Sequence, residues 1–440
     1  MNKFRFILVV LIFVLSFLGY FSENAMENGK KRILILVENR LTKPLEASIK
    51  TYRKDLQNEG YSVEINSNVT DTTSCSVIRR ILKKNYQKDY KLIGSVFIGK
   101  ISAPLFNTTK DKGDPYWHDY LSDFYYMDLD GIWTDSNQDG VNDQHKDTNY
   151  DFLNSIRREF NYNDNRTPEI WVSRIRADML TDLGNEIVLL RKYFRKNHNY
   201  RTGKMDLPAH KAFVVSAGVK LKKSDWGAFP EKLYKNIDRQ EFTDTLGNSL
   251  RRFLNSKDGY EWGVINVFSG PRIHHFSHFN NEIDTKLWNT REGRKLIAEY
   301  SDKINTSNDV SWKDIISIQP KVLFYHLLTS EVGRHDFPNY LGGTYLFSGY
   351  GLVAIAGTQH SGSVGSKQLY DYIARGNSIG MSWKKALSYL TKISDDKISI
   401  FYHPNVEERI KAGKSIYKAV LLGDGTLKLP SHYSSIYKQF

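Results

Sequence analysis

The sequence predicts an α/β protein with mainly parallel sheets, arranged as two units of one kind. Three observations predict it. Short apolar, β-branched or aromatic runs stop abruptly at small or polar residues, at 32–37, 92–99 and 352–358 for example; strands buried on both faces read this way. Segments of helical period lie between these runs, and alternating strands and helices imply right-handed crossovers and a parallel sheet. The alternation then restarts after a polar stretch at 200–208.

Residues 32–37 form the first strand. Residues 44–58 have helical period, and Gly60 follows as a stop signal. Residues 61–65 alternate as a strand. Residues 72–82 then read as the start of an amphipathic helix, and they hold Cys75, the chain's one cysteine. With no His or acid at a suggestive spacing, Cys75 reads as a half-buried structural thiol. Residues 92–99 and 169–175 are further strands, and 181–197 a helix with Thr181 and Asp182 as caps. Past the boundary come a strand at 211–217 and helices at 226–237 and 246–254. Two long strands follow at 261–270 and 321–330. A helix at 339–347, a strand at 352–358, helices at 368–375 and 382–390 and a strand at 417–427 complete the second unit. The expected organisation is a leader at 1–25, a first α/β unit at 32–203, a second at 208–430 and a tail at 431–440.

Lys3 and Arg5 precede an apolar run at 6–18, with polar residues from Ser22 and Ala25 as the last residue of a cleavable segment. This is the layout of a signal peptide or an uncleaved N-terminal anchor, so the body is expected to be exported, with membrane association through the N-terminus as the second form. One thiol in an exported chain excludes an internal disulfide framework. The formal net charge is +13 over 440 residues, with Lys and Arg scattered. No recognition motif accompanies that charge, so no nucleic-acid partner is expected; acidic polymers and anionic membrane are the partners it would attract.

A long polar loop separates the strands at 92–99 and 169–175. Within it, Asp135, Asn137, Asp139 and Asp143 offer side-chain oxygens at alternate positions around Gly140, and Val141 a backbone carbonyl. That spacing suits a structural Ca2+. The twelfth position is Lys146 rather than Glu, so this is not an EF-hand, and a surface loop of Asx turns is the competing reading. The aromatics Trp117, Tyr125, Tyr126 and Trp133 pack this loop or serve binding.

The chemistry-bearing residues cluster at two strand ends. The first strand runs into Gly270-Pro271-Arg272-Ile273-His274-His275, the second into Thr329-Ser330. In open α/β sheets, ligands sit beyond the carboxyl ends of strands, which would bring His274, His275 and Ser330 to one site. His274 and His278 would suit zinc only if helical, and no persuasive acidic third ligand accompanies them, Glu282 being the nearest. His326, inside an apolar strand, reads as a core histidine. His335 and His360 follow strand ends and would line the cleft.

The order of these motifs resembles the gingipain-type cysteine peptidases. The resemblance spans most of 32–430. It rests on 122–133, on Pro168-Glu169-Ile170-Trp171-Val172-Ser173-Arg174-Ile175, on His198-Asn199-Tyr200-Arg201-Thr202-Gly203, on 341–358 and on Gly423-Asp424-Gly425-Thr426-Leu427. It implies two caspase-like α/β subdomains with mainly parallel sheets, a Cys–His dyad and a protein or peptide ligand. The chain departs from the family at both dyad positions: Gly270-Pro271-Arg272 stands where His-Gly would fall, and Thr329-Ser330 where Ser-Cys would fall. Three readings follow. One is a catalytically degenerate pseudopeptidase that binds without cutting. Another is an active endopeptidase with Ser330 as nucleophile and His275 or His274 as base. The third is a calcium-dependent surface binding protein.

Overall fold

The computed structural model describes residues 30–106, 119–135, 138, 140–142, 144–145, 167–216, 230–241, 246–276, 308–359, 367–395 and 416–430. The strands of one ten-stranded sheet take up the apolar runs and add a polar strand at the edge. They are β1 (Arg32–Glu38), β2 (Ser62–Val69), β3 (Leu92–Ile98), β4 (Trp171–Ile175), β5 (Ala212–Ser216), β6 (Ile237–Glu241), β7 (Tyr260–Asn266), β8 (Val322–Leu327), β9 (Val353–Gly357) and β10 (Ala419–Gly423). Their spatial order is β6-β5-β7-β8-β9-β10-β4-β3-β1-β2. Pairing within β2-β1-β3-β4 and within β6-β5-β7-β8-β9 is parallel, and β10 lies antiparallel to β9. Strands β1, β4, β5, β8, β9 and β10 are buried at every position, as continuous apolar runs require.

Among the described residues, the helices longer than one turn are α1 (Glu46–Asn58), α2 (Cys75–Gln87), α3 (Glu186–Arg201), α4 (Leu246–Leu254), α5 (Trp312–Ile318), α6 (Leu341–Phe347), α7 (Lys367–Ala374) and α8 (Ile379–Asp395). Their ends follow local chemistry. Ser74 caps α2 by accepting from the Val77 N–H at 3.4 Å. Ser311 and Asp314 form a reciprocal capping box on α5. Gly60, at φ +92°, supplies the left-handed turn after α1.

Two sequence expectations fail locally. Helix α3 is capped by Asn185, which accepts from the N–H groups of Ile187 and Val188 at 3.0 and 3.3 Å. Thr181 and Asp182 lie outside it: the Asp182 N–H donates to Asn339 and its carboxylate accepts from the Trp312 indole at 2.8 Å. The helix expected at 226–237 is absent from the part of that stretch within the described residues. A 3-10 turn at Pro230–Lys232 leads to β6, which among the described residues pairs only with β5. A polar sequence is tolerated at such a sheet edge, and pairing overrides weak periodicity.

The two units share the sheet, and β10, late in the chain, is the seam. It pairs with β9 over five residues and meets β4 at Leu422↔Arg174. Beyond it, buried Asp424 accepts from Asn197 at 2.8 Å, Arg201 at 2.5 Å and Thr426 at 2.6 Å. Burial pushes this carboxyl up, but Arg201, Thr426 and Asn197 outweigh it and hold it below the usual carboxylate range. The leader expected at 1–25 and the tail at 431–440 lie outside the described residues. No helix among the described residues is long and apolar enough to cross a membrane.

Candidate functional site

The turn Gly270-Pro271-Arg272 closes a hairpin directly after β7. Phe268–Ser269 pairs antiparallel with Ile273–His275, and a third short strand, Val310–Ser311, joins it. Alternation along Ile273–His275 sends the two histidines to opposite faces. His274 therefore stands on a strand, and the helical His274–His278 zinc pair does not form from it; His278 lies outside the described residues.

His274 is fully buried. Its Nδ1 is 2.7 Å from Ser269 Oγ and its Nε2 3.0 Å from Tyr345 OH. Burial, reinforced by His275, pushes its pKa down to about 3, so the imidazole is neutral at physiological pH. With both nitrogens engaged, this ring has none left for Ser330 in this geometry. His275 lies nearer the surface, with Nδ1 3.7 Å from Asp309 Oδ2 and its ring tilted against Phe268. Buried Asp309 also accepts from the Phe276 N–H at 2.8 Å.

The β8 end is fixed to the β7 end by Leu328 N–H donating to Ile265 O at 2.8 Å. Thr329 and Ser330 follow, both buried. Glu331 is left-handed at φ +59°, an uncommon conformation for a residue with a side chain and a mark of a constrained strand end. Gly333 packs so closely that a Cβ there would lie 2.9 Å from the carbonyls of Ala356 and Gly357. Fully buried His335 stands beside Arg176, Nδ1 to Nη1 at 2.9 Å. Burial, then the neighbouring guanidiniums, hold His335 well below its ordinary pKa, so it accepts from Arg176 as a neutral ring. His326 is a core histidine, 2.8 Å from Tyr370 OH. His360 lies outside the described residues.

The long loop forms a second constellation. Phe106, Phe124, Trp133, His145 and Tyr417 make one aromatic cluster, with Trp133 stacked on His145 at 4.1 Å. Tyr125 and Tyr126 pack beside it, and Trp117 is outside the described residues. Asp135 turns back to accept from the Gly140 N–H at 2.8 Å, and Val141 is buried. Asn137, Asp139 and Asp143 lie outside the described residues.

What sequence spacing missed is a carboxylate trio. Asp128, Asp130 and Glu169 bring ligand oxygens within 4.8 Å of one another. Burial, then the neighbouring Asp128 and Asp130, push Glu169 up to about 7; burial and Asp128 also raise Asp130. His145 Nε2 lies 2.8 Å from Asp128 Oδ2. Each residue stood in view in the sequence, but the turn that joins them across the loop has no local signal. Asp309 and Tyr345 were missed for the same reason.

No protein-family model matches this chain, and no curated protein matches it by sequence. By structure it is similar to the Arg-specific cysteine proteinase gingipain R (RgpB), with TM-score 0.55 and 11% identity over 92% of this chain and 80% of that one. It is similar, too, to the complex of Porphyromonas gingivalis RgpB pro- and mature domains, with TM-score 0.53 and 11% identity over 90% of this chain and 79% of that one. At this identity the likeness is one of fold: the chain has the gingipain-type, caspase-like α/β architecture.

Proposed function

We propose that this chain is an exported pseudopeptidase of gingipain-like fold, which holds a protein or peptide ligand at the ends of β7 and β8 without cutting it. The observation that carries this reading is His274. It is the histidine nearest the strand-end turn that is fully built into the core, and Ser269 and Tyr345 engage both its nitrogens. A serine hydroxyl is a poor nucleophile without a base in hydrogen-bond reach. Gly270 offers no imidazole and Ser330 no thiol. Cys75 opens α2 in a different part of the fold, where burial pushes its thiol up and away from reactivity.

One observation favours the competing serine-hydrolase reading. Asp309 lies 3.7 Å from His275 Nδ1, where an orienting carboxylate would stand for a Ser330–His275 pair. Labelling separates the two. Purified protein and Ser330→Ala are treated with serine- and thiol-reactive probes, and the adducts are read by mass. The pseudopeptidase reading expects no adduct at Ser330. An adduct on the wild type that is lost in Ser330→Ala would restore the serine-hydrolase reading and make Ser330 its nucleophile.

We also propose a structural calcium for the long loop. Asp135, Asn137, Asp139 and Asp143, with the Val141 backbone carbonyl, are hard oxygen donors of the kind calcium takes.

A further inference from the structure

Helix α2 carries an unusual charge pattern. Arg79, Arg80, Lys83 and Lys84 stand on it, and it contains no acidic residue. Arg79 with Lys83, and Arg80 with Lys84, are like-charge pairs at i, i+4, each destabilising by about 0.2–0.5 kcal/mol in an isolated helix. Helix α1, by contrast, mixes signs, with Glu46 placed to pair with Lys50. Among the described residues no carboxylate pairs with Arg80, Lys83 or Lys84.

These cations line one groove of about 290 Å³, with Ser76, Gln87 and Tyr125. Ser76, Arg80, Lys83 and Gln87 follow the i, i+4, i+7, i+11 spacing of a single face, a stripe about 16 Å long at 1.5 Å per residue. Its wall is pre-set. Arg79 donates from Nε to Tyr125 O at 2.9 Å and from Nη2 to Asp128 O and Gly131 O at 2.8 and 2.7 Å, and it lies 5.0 Å from the Tyr125 ring centre. None of these bonds uses Nη1.

We infer that this groove binds an anionic carbohydrate polymer bearing sulfate or phosphate groups. Fixed guanidinium and flexible ammonium groups suit tetrahedral oxyanions. Ser76 and Gln87 add hydrogen-bonding groups at the two ends, and the half-exposed Tyr125 ring offers an apolar wall for a sugar face. The linear array fits repeating charges better than one compact anion. The groove is built on α2 and the long loop, so it does not rest on the reading of the strand-end cleft.

Fluorescent dextran sulfate, titrated into the full chain at about 0.15 M salt, tests this. Two triple variants remove the same charge: Arg80→Gln/Lys83→Gln/Lys84→Gln in the groove, and Lys50→Gln/Arg53→Gln/Lys54→Gln on α1. A melting curve checks that each folds. The groove variant is expected to lose at least tenfold in affinity and to flatten the salt dependence by about two to three charges; the α1 variant should change less than threefold. Equal losses in both would overturn the proposal in favour of diffuse charge. So would binding of polyglutamate or phosphatidylglycerol vesicles as tight as that of dextran sulfate, with the same loss in the groove variant. Failure of the wild type to bind dextran sulfate would overturn it outright.

Discussion

Glu169 shows how much of this protein is decided by single side chains meeting across loops. Its carboxyl is pushed from near 4.5 up to about 7, first by burial and then by Asp128 and Asp130. The folded state therefore holds this proton more tightly than the unfolded chain. Its contribution to stability is fully present at low pH and is lost as pH rises through about 7. The melting temperature of the wild type should fall more between pH 5 and pH 8 than that of Glu169→Gln. Separately, saturating calcium should raise the melting temperature of the wild type; no calcium effect would remove the proposed ion. At this scale the sequence displays residues but not their company. Ser330 and His274 are visible as chemistry at strand ends. That His274 faces inward to Ser269 and Tyr345, while His275 faces Asp309, depends on a hairpin and a third strand brought from 35 residues further on.

At the scale of elements, strands with unbroken apolar runs are the most legible part. β1, β3, β8 and β9 stand where their sequences put them, because a strand buried on both faces leaves little freedom in composition. Edge strand β6, with Ile-Asp-Arg-Gln-Glu, is nearly illegible, since its strand character comes from pairing with β5. Close packing is also hidden from periodicity. Trp171 of β4 is fully buried among Gly94, Gly380 and Gly425. A Cβ at Gly380, in the first turn of α8, would lie 2.5 Å from the Trp171 ring and 2.8 Å from Gly425 O. Overpacking of this kind costs about 1–3 kcal/mol. Gly380→Ala should lower the unfolding free energy by that amount, read as a lower midpoint of denaturation at unchanged slope, and an unchanged midpoint would mean that α8 is not seated on β4 as described.

For the whole molecule, the sequence reads as two units because its alternation restarts after residue 208. The fold joins them in one sheet. β10 is inserted between β9 and β4, and Asp424 anchors it to Asn197 and Arg201 of α3. No local pattern announces a strand that returns from the end of the chain to close a seam. The sheet sets the ends of β7 and β8 side by side, and this chain presents Gly270 and Ser330 there. Fold alone licenses no activity. The most direct test is a count of new termini by mass spectrometry after a complex peptide mixture is incubated with the wild type or with Ser330→Ala. The account predicts no new termini with either protein. Termini that appear with the wild type and vanish with Ser330→Ala would contradict it.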